Sequence, residues 1–319
     1  EYAQVLSKSP AGGGVYAATG VTSSIASGRL SYALGLHGPS VSYDTACSSA
    51  LTAGHAASRA LHLGECITSL VEGVSLMFMP AASMSFAVAG MTSIRGRSHT
   101  FDARADGYAR SEGCGSIVLC YGTIASAVGL LGSAVRQDGR SASLTAPSGH
   151  AQQRLLVAAL ADATIASEAL VFIEAHGTGT ALGDPIESHS LVTSVVAARC
   201  EVLGVTGGKA SMGHAEPAAG MVGMLKLKLM LSCSVVAPNS QLRQLNPHVL
   251  DVMHSDICAL PVEISMDLRG TRENAAGVSS FGYSGTIAHL LMCKPAQIDS
   301  FHPFSGPPMR LVQRRQRIS

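Results

Sequence analysis

Tryptophan is absent from the 319-residue chain, and all aromatic residues together make up 4% of it. Platforms that stack nucleic-acid bases are built from aromatics, so that class of partner is excluded. Charge is scarce too. Charged residues amount to 13%, about half the usual share of roughly 25%. The 22 basic and 21 acidic side chains leave a net charge of +1, which gives no case for nucleic acid or an anionic membrane surface. So few charges point to much buried surface, a subunit interface included. The eight cysteines show no Cys-x-x-Cys spacing; in a chain this long they read as reduced thiols in a cytosol-like compartment, mostly filling the core. No basic, apolar, small-residue leader follows Glu1, so the sequence is expected to be a fragment or trimmed domain of a cytoplasmic protein, with plastid or other targeting left open. Two windows carry no charge, Gly73–Ile94 and Gly113–Val135, but Pro80 and four serines break the first and five glycines the second. Buried strands and turns fit both better than a membrane span.

The chain that remains alternates strand-like and helix-like segments, which places it in the α/β class. Strands are expected at Val15–Ala18, Pro39–Tyr43, Ser69–Met79, Ile117–Tyr121, Leu170–Glu174, Val202–Val205, Val262–Ser265, Ala275–Ser279 and Ala288–Cys293. Helices are expected at Ser23–Gly35, from Ser49 to about Leu63, at Ala151–Ala166, from the Gly183–Glu187 motif, with Pro185 in the first turn, to about Arg199, and at Ala218–Leu231. Ala53, Ala56, Ala57 and Ala60 line the second of these, small enough for another backbone to come close. From Lys294 the chain is Pro-rich and then basic, as in a linker or tail.

Three polar residues stand at strand ends before tight turns: Cys47, His176 and His214. Residues at the carboxyl ends of strands in α/β folds are commonly catalytic. Cys47 lies where a helix is expected to begin, and a thiol there feels the positive end of the helix dipole and unpaired N–H groups, both of which favour thiolate. Any one histidine of the twelve is more often a surface or satisfied core residue than a catalyst. The glycine turns beside His176 and His214, and Lys209 five residues before the latter, lift these two above that reading. Lys209 either keeps His214 neutral and oriented or is a solvated strand-end lysine. Asp184 and Glu187 either join Lys209 in an ion-pair network or only stabilise a helix dipole. A cysteine with two histidines and no metal-type spacing points to acyl transfer through a thioester, with backbone N–H groups of the Gly282, Ser284, Gly285 loop facing an oxyanion. From residues alone the reading stops at a thiol-dependent acyl transferase or hydrolase.

The residues carry a resemblance that goes further. Asp44-Thr45-Ala46-Cys47-Ser48-Ser49, Glu174-Ala175-His176-Gly177-Thr178-Gly179-Thr180, Gly183-Asp184-Pro185-Ile186-Glu187, Lys209 with Gly213-His214-Ala215-Glu216-Pro217-Ala218-Ala219-Gly220, and Gly277-Val278-Ser279-Ser280-Phe281-Gly282 occur in this order. Together they resemble a β-ketoacyl synthase, specifically the ketosynthase domain of type I polyketide synthases, over about residues 13 to 293. The resemblance implies a thiolase-like five-layered αβαβα fold of two similar halves, at 1–166 with the nucleophile and 167–293 with the histidine pair, ahead of the 294–319 tail. The opening βα units of the first half are expected to be missing here. It implies that Cys47 receives an acyl chain from an acyl carrier protein. His176 and His214, the second supported by Lys209, then promote decarboxylation of a malonyl thioester and stabilise the enolate that attacks. Thr178, Thr180, Phe281 and Tyr283 would meet substrate and the phosphopantetheine arm, with Tyr283 as a gate. The backbone N–H groups of Cys47 and Tyr283 would form the oxyanion hole, and Asp184 and Glu187 would be structural. It implies a homodimer and no metal or redox cofactor, phosphopantetheine belonging to the carrier. A catalytically weak or inactive dimeric scaffold that docks carrier proteins is the alternative. Ser211, Ser284 and Ile287 depart from the family's Asn, Gly and Asn, which predicts weaker condensation.

Overall fold

The computed structural model describes residues 1–121, 128–197, 199–253, 257–263, 265–267, 275–294 and the backbone of 309–312. Three short helices open the chain, α1 (Tyr2–Ser7), α2 (Ala17–Val21) and α3 (Ser23–Leu34), and α4 (Ser49–His62) follows the Cys47 segment. Next come β1 (Thr68–Ser75), α5 (Pro80–Val88), β2 (Gly113–Tyr121), β3 (Gly129–Gln137), α6 (Gly149–Ala163), β4 (Leu170–Glu174) and α7 (Gly183–Leu191). The remainder is β5 (Leu203–Thr206), α8 (Lys209–Met212), α9 (Ala219–Cys233), β6 (Val235–Val236), α10 (Pro247–Met253), β7 (Cys258–Ala259), β8 (Met266–Asp267), β9 (Ala275–Phe281), β10 (Thr286–Cys293) and β11 (Met309–Val312). Among the described residues no helix is long and apolar enough to cross a membrane; the two charge-free windows become β1 with α5, and β2 with β3.

Nine strands form one ladder in the order β1-β2-β11-β3-β10-β9-β4-β5-β7, while β6 and β8 pair separately. The strands β9, β4, β5 and β7 run parallel, and every other pair in the ladder is antiparallel. Side-chain alternation along the strands sorts apolar residues into two cores. One core joins Ala50, Leu51 and Leu61 of α4 and Met221, Met224 and Leu227 of α9 to Val71, Ile117 and Leu119 on one side and to Val278 and Leu290 on the other. The second joins Leu155, Leu156, Ala159 and Leu160 of α6 and Leu191 of α7 to Ile173, Leu203, Phe281 and Ile287. The layers are therefore α6, α7 and α10; the sheet from β3 to β7; α4 with α9; and β1 with β2. This mixed α/β arrangement accommodates the thiolase-like expectation.

The helix α4 is central, as expected, but a different face is the deep one. Ala50, Leu51, Gly54, Ser58 and Leu61 are buried, whereas Ala53, Ala56, Ala57 and Ala60 are only partly covered. The close approach occurs at Gly220 of α9, where an added Cβ would lie 2.6 Å from Leu51 Cγ. Three strand expectations fail. Residues 17–21 are helical, not a strand from Val15 to Ala18. Pro39–Tyr43 joins no ladder among the described residues, and an extended segment without a partner leaves its backbone groups to solvent. Val262 and Glu263 bend, residue 264 lies outside the described residues, and the strands fall on either side as β7 and β8. Pro80 ends one expected strand and begins α5, where its missing N–H costs nothing. Apart from β11, the expected 294–319 tail lies outside the described residues beyond Lys294.

One titrating group belongs to the fold itself. His289 on β10 faces Ser279 on β9, with Nδ1 2.9 Å from Ser279 Oγ, and burial pushes its pKa from 6.5 to about 3. The unfolded imidazole takes up a proton below pH 6.5 that the folded one refuses. Its contribution to stability is therefore present above pH 6.5 and is lost as pH falls towards about 3. At about 1.4 kcal/mol per pH unit, the stability gap between wild type and His289→Gln should narrow by about 2 kcal/mol from pH 7 to pH 5. Urea titrations at the two pH values measure it, and an unchanged gap overturns the assignment.

Candidate active site

Cys47 sits on a strained turn. Ala46 adopts a positive φ of 54°, and the hydroxyls around it close the backbone: Thr45 N–H donates to Ser49 Oγ at 2.9 Å, and Ser49 Oγ to the Ala46 carbonyl at 2.7 Å. Ser280 Oγ donates to the Cys47 carbonyl at 2.6 Å, tying the turn to β9. At Gly282 the loop after β9 comes so near that an added Cβ would sit 2.3 Å from the Thr45 carbonyl oxygen. Cys47 lies two residues before α4 begins at Ser49, and the thiolate expected there is not favoured. Dense packing around the sulfur, in a residue that is only partly covered as a whole, pushes its pKa up to about 11. The Lys209 charge and backbone N–H groups of Tyr283 and Cys47 pull the other way without prevailing. Desolvation outweighs the dipole.

The two histidines come from parallel strands whose carboxyl ends share one edge. His176 follows β4 and His214 follows α8, which itself follows β5, while Phe281 closes β9. His214 Nε2 lies 3.1 Å from Cys47 Sγ, and its Nδ1 accepts the backbone N–H of Glu216 at 3.1 Å. A ring nitrogen that accepts an N–H carries no proton. A neutral His214 therefore holds its proton on Nε2 and donates towards the sulfur. Burial, then the Lys209 charge, holds both imidazoles well below the usual histidine range. The rings meet edge to face at 5.6 Å; Phe281 backs His176 at 5.3 Å and Tyr108 backs His214 at 4.9 Å. His176 Nδ1 is buried with no hydrogen-bond partner among the described residues.

Lys209 does not touch His214. Its Nζ donates to the His176 carbonyl at 2.5 Å, and it reaches His214 and the thiol through its charge alone. Asp184 and Glu187 follow neither expectation in full, because they capture backbone. Glu187 accepts the N–H groups of His176 and Gly177 at 2.7 and 2.8 Å, and Asp184 those of Gly179 and Phe101 at 3.1 and 2.7 Å. Burial raises them to about 7 and about 6. Thr178 Oγ1 and Thr180 Oγ1 lie 3.2 Å apart, and Thr180 Oγ1 also accepts the Gly183 N–H. Tyr283 stands at the rim, 47% exposed, edge-on to Phe86. Ser211 and Ser284 are exposed, and Ile287 is buried in the second core.

The sequence reading passed over Glu174, Lys226, Tyr108 and Phe86. Glu174 is buried and binds Lys226 Nζ at 2.6 Å, Thr206 Oγ1 at 2.5 Å and the Gly208 N–H at 2.6 Å, so it fixes the turn that presents Lys209. Its place beside His176 in the sequence was the available signal. Cys47, His176 and His214 offer three donor atoms within 4.8 Å of one another, but the ammonium of Lys209 beside them opposes a metal cation.

Comparison with known proteins gives a consistent picture. Residues 1–125 match the model of the N-terminal domain of β-ketoacyl synthases and residues 128–243 that of the C-terminal domain. The chain is 40% identical over 304 residues to erythronolide synthase EryA3 of Saccharopolyspora erythraea, covering 92% of this chain and 10% of that protein. It is 41% identical over 290 residues to mycoketide-CoA synthase of Mycobacterium tuberculosis, covering 87% of this chain and 7% of that protein. The ketosynthase from module 6 of the bacillaene synthase of Bacillus subtilis 168 superposes with a TM-score of 0.81 at 34% identity, covering 88% of this chain and 52% of that one. The oxazolomycin ketosynthase domain OzmH KS7 of Streptomyces albus JA3453 gives 0.80 at 32% identity, covering 88% and 50%. The chain thus spans a small part of those curated relatives and about half of the solved domains.

The raised thiol predicts slow labelling. Alkylation of Cys47 by iodoacetamide, read by peptide mass, should accelerate about tenfold per pH unit from pH 7 to pH 10. Lys209→Met should move that profile higher still, since it removes the nearest charge that favours thiolate. A plateau reached by pH 8 would contradict the burial argument.

Proposed function

The chain belongs to the β-ketoacyl synthase family, and on that premise we propose that it joins a Cys47-bound acyl chain to a malonyl-type unit on an acyl carrier protein, as in polyketide or fatty-acid elongation. The observation that carries the reading is the His214 ring, which accepts at Nδ1 and aims Nε2–H at Cys47 Sγ. In the first step the sulfur of Cys47 attacks the carrier thioester. The carrier thiol leaves with the proton that Cys47 gives up. The backbone N–H groups of Cys47 and Tyr283 favour negative charge at this sulfur, which suits them to a tetrahedral oxyanion formed beside it.

In the second step a malonyl thioester enters and loses carbon dioxide. The electron pair of the broken bond becomes an enolate whose oxygen needs hydrogen-bond donors, and two neutral imidazoles in a dry pocket supply them without bringing a formal charge. The enolate carbon attacks the Cys47 acyl carbon, the sulfur leaves as thiolate, and the β-ketoacyl product stays on the carrier. No metal or redox group is needed at any step; phosphopantetheine arrives with the carrier. Thr178 and Thr180, hydroxyl to hydroxyl beside the His176 loop, are suited to hold that arm. Exposed apolar residues such as Tyr32 at 91% and Leu34 at 58% support a homodimer.

Incubation with an acyl-pantetheine thioester followed by intact mass should show one acyl adduct, absent in Cys47→Ala. Addition of malonyl-carrier protein should then yield the β-ketoacyl carrier. Release of free acid alone would indicate a thiol hydrolase, and no adduct at all would favour the scaffold.

A further inference from the structure

The reaction above leaves Arg110 without a task, and its contacts lead back to His214. Glu216 adopts a φ of 44°, in the left-handed region that a residue with a Cβ avoids. It also precedes Pro217, a position biased towards extended backbone. Relaxation to that region would turn the Ala215–Glu216 peptide, and its N–H would leave His214 Nδ1. Arg110 opposes the relaxation. Its Nε donates to Glu216 Oε1 at 2.7 Å and its Nη2 to Oε2 at 2.9 Å, a fork-to-fork pair with side chains only 9% and 14% exposed.

Arg110 is itself held from several sides. Nη1 donates to Ser83 Oγ at 2.6 Å, Nη2 also to Glu1 Oε1 at 3.3 Å, and the guanidinium lies 5.2 Å from the centre of the Phe86 ring. The backbone on either side of Arg110 brackets His214: the His214 N–H donates to the Ala109 carbonyl at 2.7 Å, and the Ser111 N–H to the His214 carbonyl at 3.0 Å. One short segment thus fixes both the backbone of His214 and the side chain that orients its neighbour.

We propose that Arg110 is a positioning residue that clamps Glu216 in its left-handed conformation and so locks His214 in the Nε2–H tautomer. The inference rests on the reading of His214 as a hydrogen-bond donor, but the tautomer can be measured without substrate. Nitrogen-15 NMR of the histidine-labelled chain distinguishes the two tautomers, and the His214 signals are those lost in His214→Gln. Wild type should show a protonated Nε2 and an unprotonated Nδ1. Arg110→Gln should show mixed tautomers and, where the chain condenses, a turnover lower by about tenfold to a hundredfold. Arg110→Lys should not rescue, because an ammonium cannot fork onto both carboxylate oxygens.

The double variant Arg110→Gln/Glu216→Gly is the decisive arm. Glycine takes a positive φ without a clamp, so the Nε2–H tautomer should return, and with it most of the lost turnover. A purely structural role for Arg110 would not be repaired by a glycine at 216. If Arg110→Gln does not fold, Glu216→Gln, which weakens the grip and keeps the volume, should mix the tautomers under the same measurement. Unaltered His214 signals in the folded variant, or a double variant no better than the single, overturn the proposal. Failed condensation with the tautomer pattern as expected would count against the proposed function and leave the clamp standing.

Discussion

Two imidazoles must stay uncharged beside a buried ammonium, and that electrostatic constraint shapes the surroundings of the site. Desolvation and the Lys209 charge act in the same direction on His176 and His214, keeping them neutral. A dry pocket has a second consequence, since every backbone group that lines it needs a partner within the protein. The His176–Thr180 loop cannot pair with a strand, so Glu187 and Asp184 meet its N–H groups. The Gly208 turn has the same need and finds Glu174, whose charge Lys226 balances. The Cys47 turn finds serine hydroxyls. The same dryness that keeps the imidazoles neutral pushes the thiol up to about 11.

How much of this the sequence disclosed depends on the range of each interaction. The strand Leu170–Glu174 and the apolar stripe of α6 were legible because their pattern is local and their burial complete. Cys47 and His176 were legible because each stands where an extended segment or strand gives way to a turn, whereas His214 stands one short helix, α8, beyond β5 and was marked only by the glycine and Lys209 near it. The strands expected at Val15–Ala18 and Pro39–Tyr43 failed because a strand exists only with a partner, which composition does not show. The thiolate expected at Cys47 failed because a helix start is visible in sequence and the density of packing around a sulfur is not. Arg110 and Glu216 stand 106 residues apart, and although Glu216 belongs to the Gly213–Gly220 motif, no local pattern joins it to Arg110.

The departures from the family pattern differ in burial. Ile287 sits opposite Phe281 across β9 and β10 and is sealed in the second core, where an amide would need a partner. An apolar side chain satisfies that place by itself. Ser284 and Ser211 are exposed, and Ser211 Oγ bonds Ser240 Oγ at 2.9 Å. None of the three side chains hydrogen-bonds to Cys47, His176 or His214, so an effect on catalysis would have to pass through packing or through the backbone of the β9–β10 turn or of α8.

The carboxylates near the site were open to two readings, and the geometry removes a third. Values raised to about 7 and about 6 would suit Glu187 and Asp184 as general acids on pKa alone. Position decides otherwise. Both oxygens of each carboxylate are occupied by backbone N–H groups, those of Glu187 by His176 and Gly177 and those of Asp184 by Gly179 and Phe101. The bonded oxygens are thus turned to the loop that presents His176 and to Phe101. Their raised pKa values follow from burial, and no oxygen of theirs faces the sulfur. Proton handling at this site therefore falls to the thiol and the two imidazoles. Of these, His214 has its proton assigned by a backbone contact, which makes the conformation of Glu216 a condition of the chemistry.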